Sequence, residues 1–148
     1  LPTAMKGSLA HRIREDANEY GATTKRPRDI AYIDLPMMSY LFKVGRVEYL
    51  AATHLDIAYS DIPVKVCIGY KISGKEVGYR PDQEYLNKVK PEYLELPAWD
   101  GAKTQNTNTI GDLPKEALQY LAFITQRLNV KLLVVTTGPK REQTIRWW

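Results

Sequence analysis

Leu118-Gln119-Tyr120-Leu121-Ala122-Phe123-Ile124-Thr125-Gln126-Arg127-Leu128-Asn129-Val130-Lys131-Leu132-Leu133-Val134-Val135 decides the fold class. Leu118, Leu121, Ala122, Thr125 and Leu128 recur at helical spacing and predict a buried stripe. Val130 to Val135 follows at once as an apolar run interrupted by Lys131, which reads as a buried strand. A helix leading directly into a buried strand predicts parallel pairing. The helix start is placed at Asp112 as cap, with Pro114 in the first turn.

Working outward, the same alternation of helix and strand appears upstream. Asp34-Leu35-Pro36 opens a helix that stops at Gly45, with Met37, Tyr40, Leu41 and Val44 as its core stripe. Tyr49-Leu50-Ala51-Ala52 is a short strand. Ile62 to Tyr70 and Ile72 to Tyr79 read as two further strands joined at Ser73-Gly74, a β-hairpin. Residues 80–111 read mostly as loop, because Pro81, Pro91 and Pro97 break any long element. A short polar helix is expected around His11 to Asn18. The class is α/β, and no linker or internal repeat divides the 148 residues.

Composition narrows the function classes. Hydrophobic residues make up 44% and charged residues 26%, ordinary for a globular domain. No apolar run approaches the roughly 20 residues that span a bilayer, so no membrane role is expected. The net charge of +4, from 21 basic and 17 acidic residues, is too mild to argue for a nucleic-acid scaffold. Cys67, the single cysteine, lies in an apolar strand and reads as a buried small hydrophobe in a reducing, cytoplasmic setting. The chain opens at Leu1 without a methionine, which points to a piece of a longer protein.

Three loops carry candidate chemistry. Gly21-Ala22-Thr23-Thr24-Lys25-Arg26-Pro27-Arg28 sets two guanidinium groups beside hydroxyls and backbone N–H donors, a combination that suits a dicarboxylate; a solvated basic loop is the plainer alternative. Thr53-His54-Leu55-Asp56 follows a strand. A carboxylate there can accept from guanine N1–H and the 2-amino group, whereas adenine presents a lone pair at N1; a turn or cap residue is the alternative. Thr136-Thr137-Gly138-Pro139 follows the last strand, and its flat backbone could lie on a purine face or simply reverse the chain. Ligands of open α/β sheets gather at such carboxyl ends.

Taken in order, these motifs resemble the adenylosuccinate synthetases. Gly21-Ala22-Thr23-Thr24-Lys25-Arg26-Pro27-Arg28, led in by Asn18-Glu19-Tyr20 and followed by Ile33-Asp34, is similar to the family's aspartate loop, GATTGRxR. Thr53-His54-Leu55-Asp56 resembles its guanine motif TKLD. Val64-Lys65-Val66-Cys67-Ile68-Gly69-Tyr70, Leu96-Pro97-Ala98-Trp99 and Thr137-Gly138-Pro139-Lys140-Arg141 resemble further family segments.

The resemblance implies the carboxy-terminal part of a larger mixed-sheet, P-loop-like synthetase fold with a β-hairpin extension. It treats residues 1–148 as one region, with the aspartate loop at about 18–34 and guanine segments at about 53–56 and 136–141. It implies a GTP-dependent ligase joining L-aspartate to IMP, homodimeric and cytoplasmic. Thr23, Thr24, Arg26 and Arg28 would hold aspartate and reach IMP. Arg28, His54, Asp56, Thr137, Gly138 and Pro139 would hold GTP. The general base, the phosphate loop and the Mg²⁺ ligands would lie in an amino-terminal half absent here, leaving no catalytic or metal residue in this region and a fragment inactive alone.

Departures from the pattern keep two other readings open. Lys25 stands at the loop glycine, His54 at the guanine-site lysine, Asp29 at a usual arginine, and Ala31-Tyr32 at the usual Gly-Trp. A relative using ATP or acting on a deoxyguanylate is one alternative. A basic nucleic-acid-binding module, suggested by ten tyrosines and the Lys25–Arg28 cluster, is the other.

Overall fold

The computed structural model describes residues 1–147, so Trp148, the last residue of the 1–148 region, lies outside it. The chain folds into two units, one of residues 1–37 and 65–94, the other of residues 38–64 and 95–148. The chain passes between them inside regular elements, which is why no linker composition marks the division.

The first unit is built on β3 (Val64–Ile72). β1 (Ile33–Asp34) runs parallel to it, with Ile33 opposite Val66 and Asp34 opposite Cys67. β4 (Lys75–Val77) returns antiparallel, with Ile72 opposite Lys75. Ser73 and Gly74 both take positive φ, 50° and 79°, the backbone that a two-residue hairpin turn requires. The expected hairpin is therefore present, with its strands two or three residues from the expected bounds. α1 (Ser8–Asp16) starts three residues before the expected position.

The reading of 80–111 as mostly loop is corrected. Asp82 caps the short α3 (Gln83–Leu86), accepting from the Tyr85 N–H at 2.7 Å. β5 (Lys90–Leu96) then pairs with β3. Pro91 lies within β5, and it is tolerated because β5 has one strand partner among the described residues. An edge strand needs only half its N–H groups.

Cys67 and Tyr70 are fully buried with Val89, and Ile72, Val77, Tyr79, Tyr85 and Leu86 pack around them. Burial, assisted by the nearby Asp34 charge, pushes the Cys67 thiol up to about 11, so the expected inert cysteine is what the fold makes. Asp34 is 2% exposed. Its carboxylate accepts from the Tyr70 hydroxyl, from Thr3 Oγ1 at 3.4 Å and from the Met37 N–H at 3.1 Å. The Met37 bond caps α2 (Leu35–Gly45) as expected. Burial and the Asp34 bond both raise the Tyr70 pKa strongly. Tyr70→Phe leaves this buried carboxylate one donor short, and chemical unfolding should show a loss of about 1–3 kcal/mol.

The remainder of α2 does not bury the stripe read for it. Tyr40, Leu41 and Val44 are 39%, 48% and 68% exposed. Helical spacing identifies an apolar face but carries no information about what covers it.

In the second unit, β2 (Tyr49–Ala52) runs parallel to β6 (Lys131–Thr136), as the order of helix then strand predicted, but β6 is not the buried strand expected: of its residues only Val135 is buried, and Lys131 and Leu133 are exposed. β7 (Thr144–Arg146) is antiparallel to β6. α4 (Lys115–Leu128) covers this sheet through Ala117, Leu121, Ile124 and Leu128. The expected stripe is thus rotated: Leu121 and Leu128 are buried, but Ala122 is exposed. Asp112 is not the cap, a second correction. It ends a 3₁₀ turn and accepts from Thr109 Oγ1 at 2.7 Å, while Pro114 holds the cap position. Asn129 ends α4 in the left-handed region at φ 53°, which turns the chain sharply into β6. The core joins α4 to Leu55, Trp99, Leu113, Val135 and Ile145.

Candidate functional site

Because β2 and β6 are parallel, with Ala52 opposite Val135, the segments that follow them leave the sheet at the same edge. These are the two segments read as flanking a base. The His54 N–H donates to Thr136 Oγ1 at 3.2 Å and the Leu55 N–H to the Thr136 carbonyl at 2.9 Å. The Ile57 N–H closes back on the His54 carbonyl at 3.0 Å, and His54 takes φ 60°. Leu55 points into the core at 3% exposure. A tight turn anchored on both sides therefore fixes Asp56.

Asp56 is half-buried, and its Oδ1 is enclosed with no hydrogen-bond partner among the described residues. Buried polar atoms are nearly always paired, and a carboxylate oxygen left without a donor carries a desolvation cost of about 1–3 kcal/mol or more.

Thr137 is fully buried, and its N–H donates to the Gln143 carbonyl at 2.9 Å. Gly138 lies against the Gln143 amide so closely that a Cβ would fall 2.2 Å from Gln143 Oε1. Pro139 is exposed beside it, as is His54.

Three residues that support these segments had no assigned role. Trp99, 5% exposed, donates its indole N–H to the Leu55 carbonyl at 3.0 Å. Gly101 donates its N–H to the Ala58 carbonyl at 3.1 Å, and a Cβ on it would fall 1.9 Å from the Asp56 carbonyl oxygen. Gln143 braces Gly138. The glycine after Trp99-Asp100 was the available signal, and nothing local tied it to Asp56.

The basic loop belongs to the first unit. Tyr20 and Pro27 form an antiparallel bridge. The Gly21 N–H donates to the Arg26 carbonyl, and the Lys25 N–H to the Gly21 carbonyl, both at 2.9 Å. Lys25 takes φ 55°, so the position read against the family's glycine does require left-handed backbone and lysine is strained there. Thr23, Thr24, Arg26 and Arg28 are all exposed. Arg28 is held by Glu19 through a 2.9 Å ion pair, whereas Arg26 makes no ion pair with any described residue. The two arginines are thus not equivalent: one is positioned by the protein and the other is left for solvent or ligand.

No group of three or more His, Cys, Asp or Glu side chains that could hold a metal ion occurs among the described residues. A concavity of about 1120 Å³ in the second unit lies at the other end of the sheet, where Arg46, Val47 and Glu48 meet Asn129, Val130 and Lys131. Its lining includes none of the candidate site residues.

Mixed sheets with polar turns at the carboxyl ends of parallel strands define an α/β protein whose candidate ligand edge lies where those strands end. The family model for adenylosuccinate synthetase matches residues 1–145, and the chain belongs to that family. It is 37% identical over 146 residues to the adenylosuccinate synthetase of Aquifex aeolicus, covering 98% of this chain and 34% of that protein. It is 38% identical over 146 residues to that of Salinibacter ruber, covering 98% and 33%. The solved structure of fully ligated adenylosuccinate synthetase from Plasmodium falciparum superposes with a TM-score of 0.93 at 25% identity, over 100% of this chain and 36% of that one. The chain therefore spans about a third of the length of the relatives it matches.

Proposed function

We propose that this chain is the substrate-holding part of a GTP-dependent ligase that joins L-aspartate to IMP, forming adenylosuccinate and releasing GDP and phosphate. Family membership supports the reaction class. The observation that carries the role of this region is the adjacency of the Asp56 turn and the Thr137-Gly138-Pro139 segment at the carboxyl ends of the parallel strands β2 and β6. In the proposal Asp56 accepts from N1–H and the 2-amino group of guanine. The Thr137-Gly138-Pro139 backbone and the His54 ring line the faces of the base.

The arginine loop is proposed to hold aspartate. Arg26 supplies a free guanidinium to a carboxylate and extends toward IMP, with Thr23 and Thr24 adding hydroxyl donors. Arg28, fixed by Glu19, adds a second positive charge at a set position and is assigned to both substrates. In such a ligase GTP phosphorylates O6 of IMP and the aspartate amine then displaces that phosphate. The residues of this region bind and orient; none is assigned a proton or phosphoryl transfer. Mg²⁺ accompanies the reaction in the same proposal, but the described residues present no carboxylate set that fits it, and its ligands are expected elsewhere. A homodimer and a cytoplasmic location complete the proposal. No helix among the described residues is long and apolar enough to cross a membrane.

Nucleotide protection tests the assignment. GTP should raise the melting temperature of the full-length protein, and ATP at the same concentration should not. Protection by ATP alone would remove the role given to Asp56. It would favour the second reading, a different purine nucleotide, which His54 and the strained Lys25 motivate.

A further inference from the structure

The polar segment Asp100 to Gln105 touches both flanks of the proposed base site. At its start, Gly101 packs against the Asp56 carbonyl and donates to Ala58 at 3.1 Å. At its end, the Gln105 carbonyl accepts from Gln143 Nε2 at 3.1 Å. Gln143 Oε1 in turn accepts from the Lys140 N–H at 3.0 Å, and Gly138 rests on the same amide. Between these ends the chain forms a 3₁₀ turn, Gly101–Thr104, in which Thr104 is fully buried and donates to the Gly101 carbonyl at 2.7 Å. Thr107 is 9% exposed and donates onward to the Thr104 carbonyl. A 3₁₀ turn closed by its own side chains has a fixed length, about 2 Å per residue.

We infer that the turn Gly101–Gln105 is a spacer that sets the separation between the Asp56 carboxylate and the Thr137-Gly138-Pro139 backbone, making Gly101 and Gln143 positioning residues for purine selection. The inference rests on the proposed guanine site. Neither residue needs to touch the nucleotide. Gly101 fixes the height of the Asp56 backbone, because any side chain there collides with it. Gln143 ties the opposite wall to the same turn through one donor and one acceptor on a single amide. Losing that tie lets the wall drift while the turn that carries Asp56 keeps its anchors, the His54 N–H on Thr136 Oγ1 and the Leu55 carbonyl on the Trp99 indole.

The test compares GTP with ITP, which lacks the 2-amino group, in the full-length protein. Gln143→Met keeps the length of the side chain and removes both hydrogen bonds. It should raise KM for GTP roughly three- to tenfold, as expected for one or two neutral hydrogen bonds, and lower the GTP-to-ITP preference, with kcat and KM for aspartate little changed. Gln143→Glu retains the acceptor toward Lys140 and loses only the donor toward Gln105, so it should shift the preference in the same direction and serves if the methionine variant does not fold. A fall in melting temperature with the GTP-to-ITP preference intact would overturn the inference, because a merely structural glutamine moves stability alone. Asp56→Asn is measured alongside. Should it abolish the preference while both Gln143 variants keep it, the spacer fails and the base site stands. Should it leave the preference untouched, the base site itself fails.

Discussion

Asp56→Asn in the full-length ligase should reduce kcat/KM for GTP by roughly ten- to a hundredfold and leave KM for aspartate nearly unchanged. The expectation follows from the place of Asp56, in the turn after β2 beside the segment that follows β6. A base that supplies two N–H groups to its carboxylate gains charge-assisted bonds. Asparagine has the same shape but keeps a single acceptor oxygen. Its amide nitrogen presents donors toward a guanine edge that also presents donors. The loss corresponds to about 1.5–3 kcal/mol, the range for a hydrogen bond to a charged group. Steady-state kinetics with GTP and aspartate varied separately checks it. Equal losses for both substrates would point to a general collapse of the turn at 53–56 instead.

Arg26→Ala should show the opposite split, raising KM for aspartate by more than tenfold with KM for GTP changed less. Arg26 is exposed and makes no ion pair with any described residue, so its removal breaks no internal contact of its guanidinium. Its backbone carbonyl still accepts from Gly21, and the loop should keep its shape. Arg28→Ala differs in kind. It removes the 2.9 Å ion pair with Glu19 as well as a positive charge beside a site proposed to hold a dianion. Comparing the two variants by aspartate kinetics separates a binding charge from a placed one. Equal KM values for aspartate in wild type and Arg26→Ala would remove the loop from the aspartate site.

The elements legible in the sequence were those whose determinants are local. Ser73-Gly74 has the residue types that take two positive φ angles, and a hairpin forms there. Asp34 stands before a proline-containing first turn and caps α2. Leu121, Leu128 and the following Val130 to Val135 run specified a helix crossing into a parallel strand, and even the one-residue rotation of the buried face toward Ala117 and Ile124 stays within that pattern. Where local signals compete, the reading missed. Pro91 suggested a break and sits instead on an edge strand, while Asp112 looked like a cap and serves a 3₁₀ turn.

The candidate site is legible as a set of motifs and not as a set of supporting contacts. Asp56 could be singled out because a carboxylate after a strand has chemistry of its own. Gly101, 45 positions downstream by number, could not, because its role is the absence of a side chain against the Asp56 backbone. Contacts of that type leave no periodic trace. The exposed Tyr40, Leu41 and Val44 show the same gap from the other side, for spacing marks an apolar face without naming its cover.

Each of the two units is assembled from separated stretches of chain, 1–37 with 65–94 and 38–64 with 95–148. On the ribosome the first can close only when Leu94 has emerged, and the second only once the final strands are made. A truncation after Leu94 keeps every residue of the first unit but leaves 38–64 without the stretch it folds with, and one before Met38 keeps the second but leaves 65–94 in the same position, so either should carry an orphaned segment.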